Sequence, residues 1–328
     1  EEEALYLFYD LSVNTLNFEF LYSLARMDIE RRKAGKQRVH VVIVPQKKGS
    51  LFDFSRQSME RINQNAPLES DNDWFMHNVV IPSVVLMPAC SGITLCGSRR
   101  EARNLAENYS NSRFPQQYDV DNPVELDSVL RVLDQGEYFG YGQPFVSSQS
   151  AVGFVRQWLD ANGVLQDKCV VITLRDYGLE RDRNSDLDVW KCFAQHIKKM
   201  GYVPIFVKDT YSDFRQDTLN EYLVFHVASW NIQIRMALYE EAYLNMTVNT
   251  GPYLLCMFNE KVRYLNFFHV SQQSYSGNEA YHTSMGTSVG TQYPAHTPFQ
   301  KWVWGGSDDC ELILAEFKIM CECIEYKG

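Results

Sequence analysis

Apolar residues along this chain fall into two recurring patterns: short unbroken runs of β-branched and aromatic residues, and longer stretches with apolar positions three and four apart. "LYLFYD" (5–10) is of the first kind and predicts a buried strand, while "NFEFLYSLARMDIERRKAG" (17–35) has the helical spacing and stops at a glycine. "RVHVVIVP" (38–45) predicts a second strand, closed by proline. A helix between two strands is a crossover long enough to make them parallel. The rhythm continues with a helix around 54–63, a strand in "NVVIPSVVLMP" (78–88), and helices in "SRREARNLAENY" (98–109) and "PVELDSVLRVL" (123–133).

"GEYFGYGQPFVSSQS" (136–150) has no period and is rich in glycine, serine and aromatics, which marks a linker centred on 141–150. The alternation then restarts: helix 151–161, strand 169–174, helix 185–199, strand 202–207, helix 231–243, strand 246–249, a short helix from 251, and a strand in "VRYLNF". Two successive runs of this kind predict an α/β protein of two Rossmann-like domains, 1–140 and 151–328, facing a cleft. "SQQSYSGNEAYHTSMGTSVGTQYPAHTP" (271–298) is too polar and glycine-rich to pack and is expected to be a lid or disordered. The chain recovers in "FQKWVW" and a last helix, "DDCELILAEFKIMCECI", with Asp308 and Glu311 as its capping box.

Charge narrows the partners. Over 328 residues the formal net charge is −10, so the overall field repels nucleic acid and anionic membrane, and an anionic ligand needs a local cationic cluster. No apolar stretch is long enough to cross a bilayer, and a cytoplasmic location is expected. The eight cysteines lie mostly inside apolar runs and read as reduced, buried thiols. Cys321 and Cys323 are too close for a zinc pair, so no metal site is expected.

The cationic cluster sits in "VITLRDYGLERDRNSDLDVW" (171–190), where Arg175, Arg181 and Arg183 follow a predicted strand. Ligands of open α/β sheets sit beyond the carboxyl ends of strands. Ser185 with Asp188 makes a helix N-cap, so arginine forks and a helix N-terminus converge on a phosphate-sized spot. The competing reading pairs Arg181 and Arg183 with Glu180, Asp182, Asp186 and Asp188 on a solvated loop. In "TVNTGPYLL" (247–255) a strand ends in Asn249, Thr250 and Gly251, whose amides would approach an anion, with Pro252 opening a helix. Further candidates for the same cleft are Asp209 and Thr210 after "VPIFV", and Arg235 and Glu240 on the helix of "SWNIQIRMALYEEAYLN". His282 and His296 lie on the expected lid, with a surface position as the default. Asp10, at the end of the first strand, is a candidate general base. The chain lacks G-x-G-x-x-G after the first strand, G-x-x-x-x-G-K-[ST], H-E-x-x-H and G-x-S-x-G, against classical dinucleotide binding, P-loop hydrolysis, zinc proteolysis and esterase chemistry.

"VVITLRDYGLERDRNSDLDVWKCFAQHIKKMGYVPIFVKDT" resembles the first strand, arginine loop, helix and second strand of the C-terminal domain of bacterial glycosyltransferases of the GT-B architecture. "NMTVNTGPYLLCMFNEKVRYLNF" is similar to their later strand, glycine turn and helix facing the donor diphosphate, and the N-terminal 9–45 looks like the opening of proteins of surface-polysaccharide clusters. The resemblance implies a nucleotide-diphosphate sugar as co-substrate on the C-terminal domain, a carbohydrate or other hydroxyl acceptor on the N-terminal one, and no cofactor or obligatory metal. It further implies Arg175, Arg181 and Arg183 neutralising the leaving diphosphate with the amides of Thr250 and Gly251, and Asp10 as base if the enzyme inverts. The last helix would return to the first domain. A glutamate-rich ribose motif is absent. Two rivals stay open, a sugar-nucleotide epimerase of similar architecture and a non-catalytic nucleotide- or carbohydrate-binding protein.

Overall fold

The structure is a computed structural model and describes residues 3–47, 74–134, 142–177, 180–209 and 219–327. The chain divides into two units, Glu1–Phe145 and Val146–Gly328. The helix expected around 54–63 and Thr210 lie outside the described residues.

In the first unit, β1 (Ala4–Asp10), β2 (Arg38–Val44), β3 (Cys90–Leu95) and β4 (Arg113–Phe114) form a parallel sheet in the order β3-β2-β1-β4. The apolar run of β1 is buried throughout, because a parallel strand is covered on both faces. Helix α1 (Phe20–Lys33) buries Phe20, Leu21, Leu24, Ala25 and Ile29, the three-four spacing of one helical face, and ends in Arg31, Arg32 and Lys33, which suit its negative end.

The stretch 78–88 is not a strand. It forms a π-helical turn, Met76–Val80, running into α2 (Ile81–Leu86), and its buried residues Met76, Val79, Val80, Ser83 and Val84 keep a helical spacing. A β-branched run looks the same in both states, and only the burial period separates them. The strand of this region is β3, on "CSGITL" just beyond. Helix α3 (Arg99–Asn108) starts at Ser98, whose hydroxyl accepts from Glu101 N. The helix expected over 123–133 is shorter, α4 (Val129–Asp134).

The second unit carries thirteen further helices and strands among its described residues, short 3₁₀ turns aside. Helix α5 (Gln149–Ala161), capped by Ser148, begins inside the stretch read as linker. Then come β5 (Cys169–Thr173), α6 (Leu187–Lys199), β6 (Val203–Val207), β7 (Leu223–Val224), α7 (Val227–Trp230), α8 (Ile232–Glu241), β8 (Leu244–Val248), α9 (Tyr253–Met257) and β9 (Tyr264–His269). They are followed by α10 (Glu279–Met285), β10 (Gln300–Gly305) and α11 (Cys310–Lys327). Its six strands are all parallel, in the order β10-β9-β8-β5-β6-β7. That is the doubly wound Rossmann order, with the direction of winding reversing between β5 and β8.

Helix α6 shows how the sequence builds this unit. Trp190, Phe193, Ala194 and Ile197 recur at helical spacing and are fully buried against β5, β8 and α11, where Phe193 meets Phe317 edge to face. Each large apolar side chain so buried contributes roughly 1.5–3 kcal/mol. Its N-cap is Asp186, whose carboxylate accepts from Asp188 N and Val189 N, and not Ser185. Gly201, at φ 90°, ends the helix in a left-handed turn with Tyr202 N returning to the Ile197 carbonyl. Asp308 likewise does not cap α11, since Asp309 takes Leu312 N. Its buried carboxylate instead joins three elements, accepting from Trp190 Nε1 and Asp186 N at 2.8 Å and meeting His269 Nε2 at 2.7 Å. The segment 271–298 packs instead of standing open: it contains α10, and it buries Ser274, His282 and Tyr293. Gln292 explains part of this, since its side-chain amide bonds both the N–H and the carbonyl of Trp302 in β10.

Candidate functional site

Because β5 and β8 pair in parallel, Thr173 opposite Thr247, the chain leaves both strands on the same edge of the sheet. The arginine loop follows β5 and "NTG" follows β8, so the winding reversal brings the two sequence candidates together. Arg175 and Arg183 are both buried there, 5% and 8% exposed.

Arg175 Nη1 donates to the Glu180 carbonyl and to Asn184 Oδ1, and its guanidinium lies over the Tyr177 ring. Ser185 does not cap a helix but locks the loop, its hydroxyl accepting from Arg175 N and its own N–H donating to the Arg175 carbonyl. Arg183 reaches across to the other loop: Nη2 donates to the Asn249 carbonyl at 2.8 Å, while Nη1 donates to Glu180 Oε2 at 2.6 Å and to Ser276 Oγ. Arg183 thus does pair with Glu180, as the competing reading had it, but in a buried site rather than on a solvated loop. Glu180 sits at a positive φ of 48° and also accepts from Ser274 Oγ and Ser276 N. Burial would raise its carboxyl, but the hydrogen bonds from Ser274 and Ser276 and the charge of Arg183 hold it down to about 2. Gly277 has to be a glycine here, because a Cβ would stand 2.8 Å from Ser274 Oγ and 3.1 Å from Arg183 Cδ.

Two carboxylates face the two guanidinium groups, Glu180 beside Arg183 and Asp209 in the field of Arg175. Burial, and then the like charge of Arg183, bring Arg175 down to about 10 despite the opposing fields of Asp209 and Glu180. Arg183 Nε is buried with no hydrogen-bond partner, and so is Nε2 of His282. His282 is 5% exposed, not at the surface, and burial together with Arg183 brings its imidazole down to about 4, so that it is neutral at pH 7. A buried guanidinium N–H without an acceptor, such as Arg183 Nε–H, is costly, on the order of 1–3 kcal/mol, and an anion entering beside it relieves that cost. His296 is half-buried, its Nε2 hydrogen-bonded to the Tyr264 hydroxyl.

The depressed imidazole gives a pH prediction. The unfolded chain takes up a proton at His282 near pH 6.5 and the folded chain only near 4, so the stability that the neutral ring contributes is full above 6.5 and is lost as the pH falls toward 4. Denaturant unfolding at pH 7 and pH 5 is expected to show a loss of which His282 carries on the order of 1 kcal/mol after solvent screening, and His282→Gln is expected to shrink it.

Other sequence candidates lie elsewhere or do other work. Arg181 is exposed on the short 3₁₀ turn Arg181–Arg183. Asp209 is felt by Arg175 and belongs to the site's surroundings. Arg235 is structural, buried and donating to the carbonyls of Ala228 and Lys208. Glu240 is structural too, accepting from Ser147 and Asn259. Thr250 is buried, and with Gly251 it forms the turn into α9, where Pro252 stands at the cap position rather than first in the helix. Asp10, 1% exposed, is held in the first unit by a two-point ion pair with Arg99 at 2.8 and 2.9 Å and by the Tyr118 hydroxyl at 2.7 Å. Such a carboxylate is an anchor, whereas a base needs an oxygen within reach of the substrate proton. Sequence reading named Glu180 only as a surface partner of the arginines and missed Asn184, Ser274 and Ser276; "SYSG" in the supposed lid was the trace of the two serines.

No protein-family model and no curated protein sequence matches the chain. Solved structures do. The ADP-heptose lipopolysaccharide heptosyltransferase II of E. coli superposes with a TM-score of 0.57 at 9% identity, covering 99% of this chain and 100% of that one. The glycosyl transferase of family 9 from Veillonella parvula DSM 2008 superposes with a TM-score of 0.50 at 10% identity, covering 98% and 89%. The fold is that of the GT-B glycosyltransferases. The α/β class with two Rossmann-like units, expected from the alternation of elements, is therefore correct. At this identity the GT-B likeness extends to the path of the chain and not to its side chains. No helix among the described residues is long and apolar enough to cross a membrane.

Proposed function

We propose that this protein is a glycosyltransferase that moves a sugar from a nucleotide-diphosphate sugar to a hydroxyl of a carbohydrate or other acceptor. The observation that carries the reading is the pair of buried guanidinium groups, Arg175 and Arg183, in the loop after β5, with Arg183 reaching the Asn249 carbonyl in the turn after β8. The GT-B fold supports it. In this reading the second unit (Val146–Gly328) holds the donor and the first unit (Glu1–Phe145) serves the acceptor. The work belongs to surface-polysaccharide synthesis in a bacterial cytoplasm.

Departure of a nucleoside diphosphate places negative charge on the phosphate that had carried the sugar. Arg175 and Arg183 stabilise that charge in a water-poor setting without reorganising, because the Asn184 and Glu180 contacts already fix their planes. The amides of Thr250 and Gly251 and the side of Asn249 line the other bank, Arg181 adds long-range attraction from the loop surface, and His282 Nε2 gains a partner when the anion arrives. The co-substrate requires no bound cofactor in this scheme, since fixed cations meet the charge of the leaving group.

The test is thermal unfolding of the chain with a panel of nucleoside diphosphates. A ligand at a hundredfold excess over its dissociation constant is expected to stabilise the native chain by about 2.7 kcal/mol. Arg175→Ala is expected to weaken that ligand by about 1.5–3 kcal/mol, tenfold or more. An unshifted midpoint with every nucleotide, or full affinity in a folded Arg175→Ala chain, defeats the reading. Interconversion of the donor without any acceptor would instead make the protein an epimerase.

A further inference from the structure

Three side chains that the proposed transfer does not use converge where α6 meets α11. Cys192 and His196 are four residues apart on α6, on the same face, and Cys310 is the first residue of α11. Their ligand-type atoms all lie within 4.8 Å of one another, with Cys192 Sγ and His196 Nδ1 at 3.7 Å. Around a tetrahedral zinc ion, with bonds of about 2.3 Å to sulfur and 2.0–2.1 Å to nitrogen, the edges measure about 3.8 Å between sulfurs and about 3.6 Å from sulfur to nitrogen. The observed triangle is within a few tenths of an ångström to about one ångström of that figure.

We infer that Cys192, His196 and Cys310 form a binding site for a zinc-class divalent ion, which ties the helix following the arginine loop to the last helix of the chain. Two thiolates and one imidazole are a borderline-soft set that selects zinc over magnesium or calcium, whose preference is for oxygen. Three protein ligands leave a fourth position for water. The carboxylates of Asp309 and Glu311 stand close enough to act on the Cys310 sulfur, so the site also has a compensating negative field for a cation.

Capture of the ion has a proton balance. Each cysteine gives up its S–H proton to solvent as the metal–sulfur bond forms, so affinity rises with pH. His196 Nδ1 now faces the Cys192 carbonyl at 2.8 Å. For Nδ1 to bind, its proton moves to Nε2, a tautomer change that the exposed ring permits. The packed core beneath, Phe193 and Ile197 of α6 against Ile313 and Phe317 of α11, already holds the two backbones in place, so that little ordering remains for the ion to impose. The inference departs from the expectation of no metal, which weighed Cys321 and Cys323 and had no means of pairing residues 118 positions apart.

The test uses the full chain, reduced and treated with a chelator, then titrated with cobalt(II) followed by zinc(II). The expected result is one cobalt per chain, with the sulfur-to-metal charge-transfer absorption and visible bands of a tetrahedral site, displaced by zinc. Cys192→Ser, Cys310→Ser and His196→Ala are each expected to weaken binding at least about tenfold, and Cys323→Ser is expected to leave it unchanged. His196 is exposed, so its replacement keeps the fold, which circular dichroism checks. The inference is overturned if the reduced chain takes up no cobalt, or if uptake is indifferent to all three ligand variants. A Cys192–Cys310 disulfide in the untreated chain, with no metal bound after reduction, overturns it equally. None of these outcomes depends on sugar transfer.

Discussion

Arg183→Ala is expected to weaken nucleoside diphosphate binding by about 1.5–3 kcal/mol, roughly 10- to 150-fold, and to destabilise the second unit as well. Arg183 joins three stretches of chain: its own loop through Glu180, the turn after β8 through the Asn249 carbonyl, and the 274–277 segment through Ser276. Its loss leaves the Glu180 carboxylate in a half-buried place without its cation. Glu180 retains the hydrogen bonds from Ser274 and Ser276, so the cost is below that of a fully buried broken pair and is expected to be about 2 kcal/mol. Isothermal titration and denaturant unfolding read the two effects separately. Arg183→Lys sharpens the test, because a lysine keeps the charge near Glu180 but cannot reproduce the fork that reaches Asn249 and Ser276 together. Its stability is expected to recover more than its affinity. Affinity unchanged in a folded Arg183→Ala chain would remove Arg183 from the donor site.

Asp10→Ala is expected to cost the first unit about 3–5 kcal/mol, the usual penalty for removing one partner of a buried ion pair. Asp10 accepts from both terminal nitrogens of Arg99, from Tyr118 and from Ser12 N. Arg99 in turn reaches the carbonyls of Pro45, after β2, and Val120. Without the carboxylate, a largely buried guanidinium is left against the Pro45 and Val120 carbonyls and the Ser12 hydroxyl, none of them charged. The double variant Asp10→Ala/Arg99→Ala is expected to be less destabilised than the sum of the single changes, since the uncompensated charge is then gone. Chemical denaturation of the four chains closes the cycle, and strict additivity would show that the pair does not act as a unit. The same arrangement is the physical reason for setting Asp10 aside as a base.

Strands are more legible in this sequence than loops. "LYLFYD", "RVHVVIV" and "CVVIT" announced their strands because parallel strands are buried on both faces and need unbroken apolar runs. "NVVIPSVVLMP" misled by the same rule, since a buried helix also shows an apolar run and Val79, Val80 and Val84 fit either period. Arg175 and Arg183 were legible as a pair by their place between a strand and a helix. The burial of Arg183 was not, because Gly277 and Ser276, about ninety residues further on, pack against it.

Arg235 and Glu240 show the opposite error. Charged residues on a helix read as available, yet Arg235 meets the Ala228 and Lys208 carbonyls and Glu240 meets Ser147 and Asn259. The 271–298 segment was called open for its polar composition, but polar residues pack when their hydrogen bonds are met, as Gln292 does along Trp302.

By itself, the sequence determined the alternation of elements, and with it the α/β class, the parallel strands and the position of the arginine loop after a strand, because these depend on local period and on the steric rules of crossover connections. Tertiary structure decided what those residues became: the reversal of winding between β5 and β8 that joins Arg183 to Asn249, the burial that turns Asp10 into an anchor and leaves His282 neutral, and the meeting of Cys192 with Cys310. Each of these is a relation between residues far apart in the chain, and proximity of that kind, together with the loss of water that accompanies it, exists only once the core has formed.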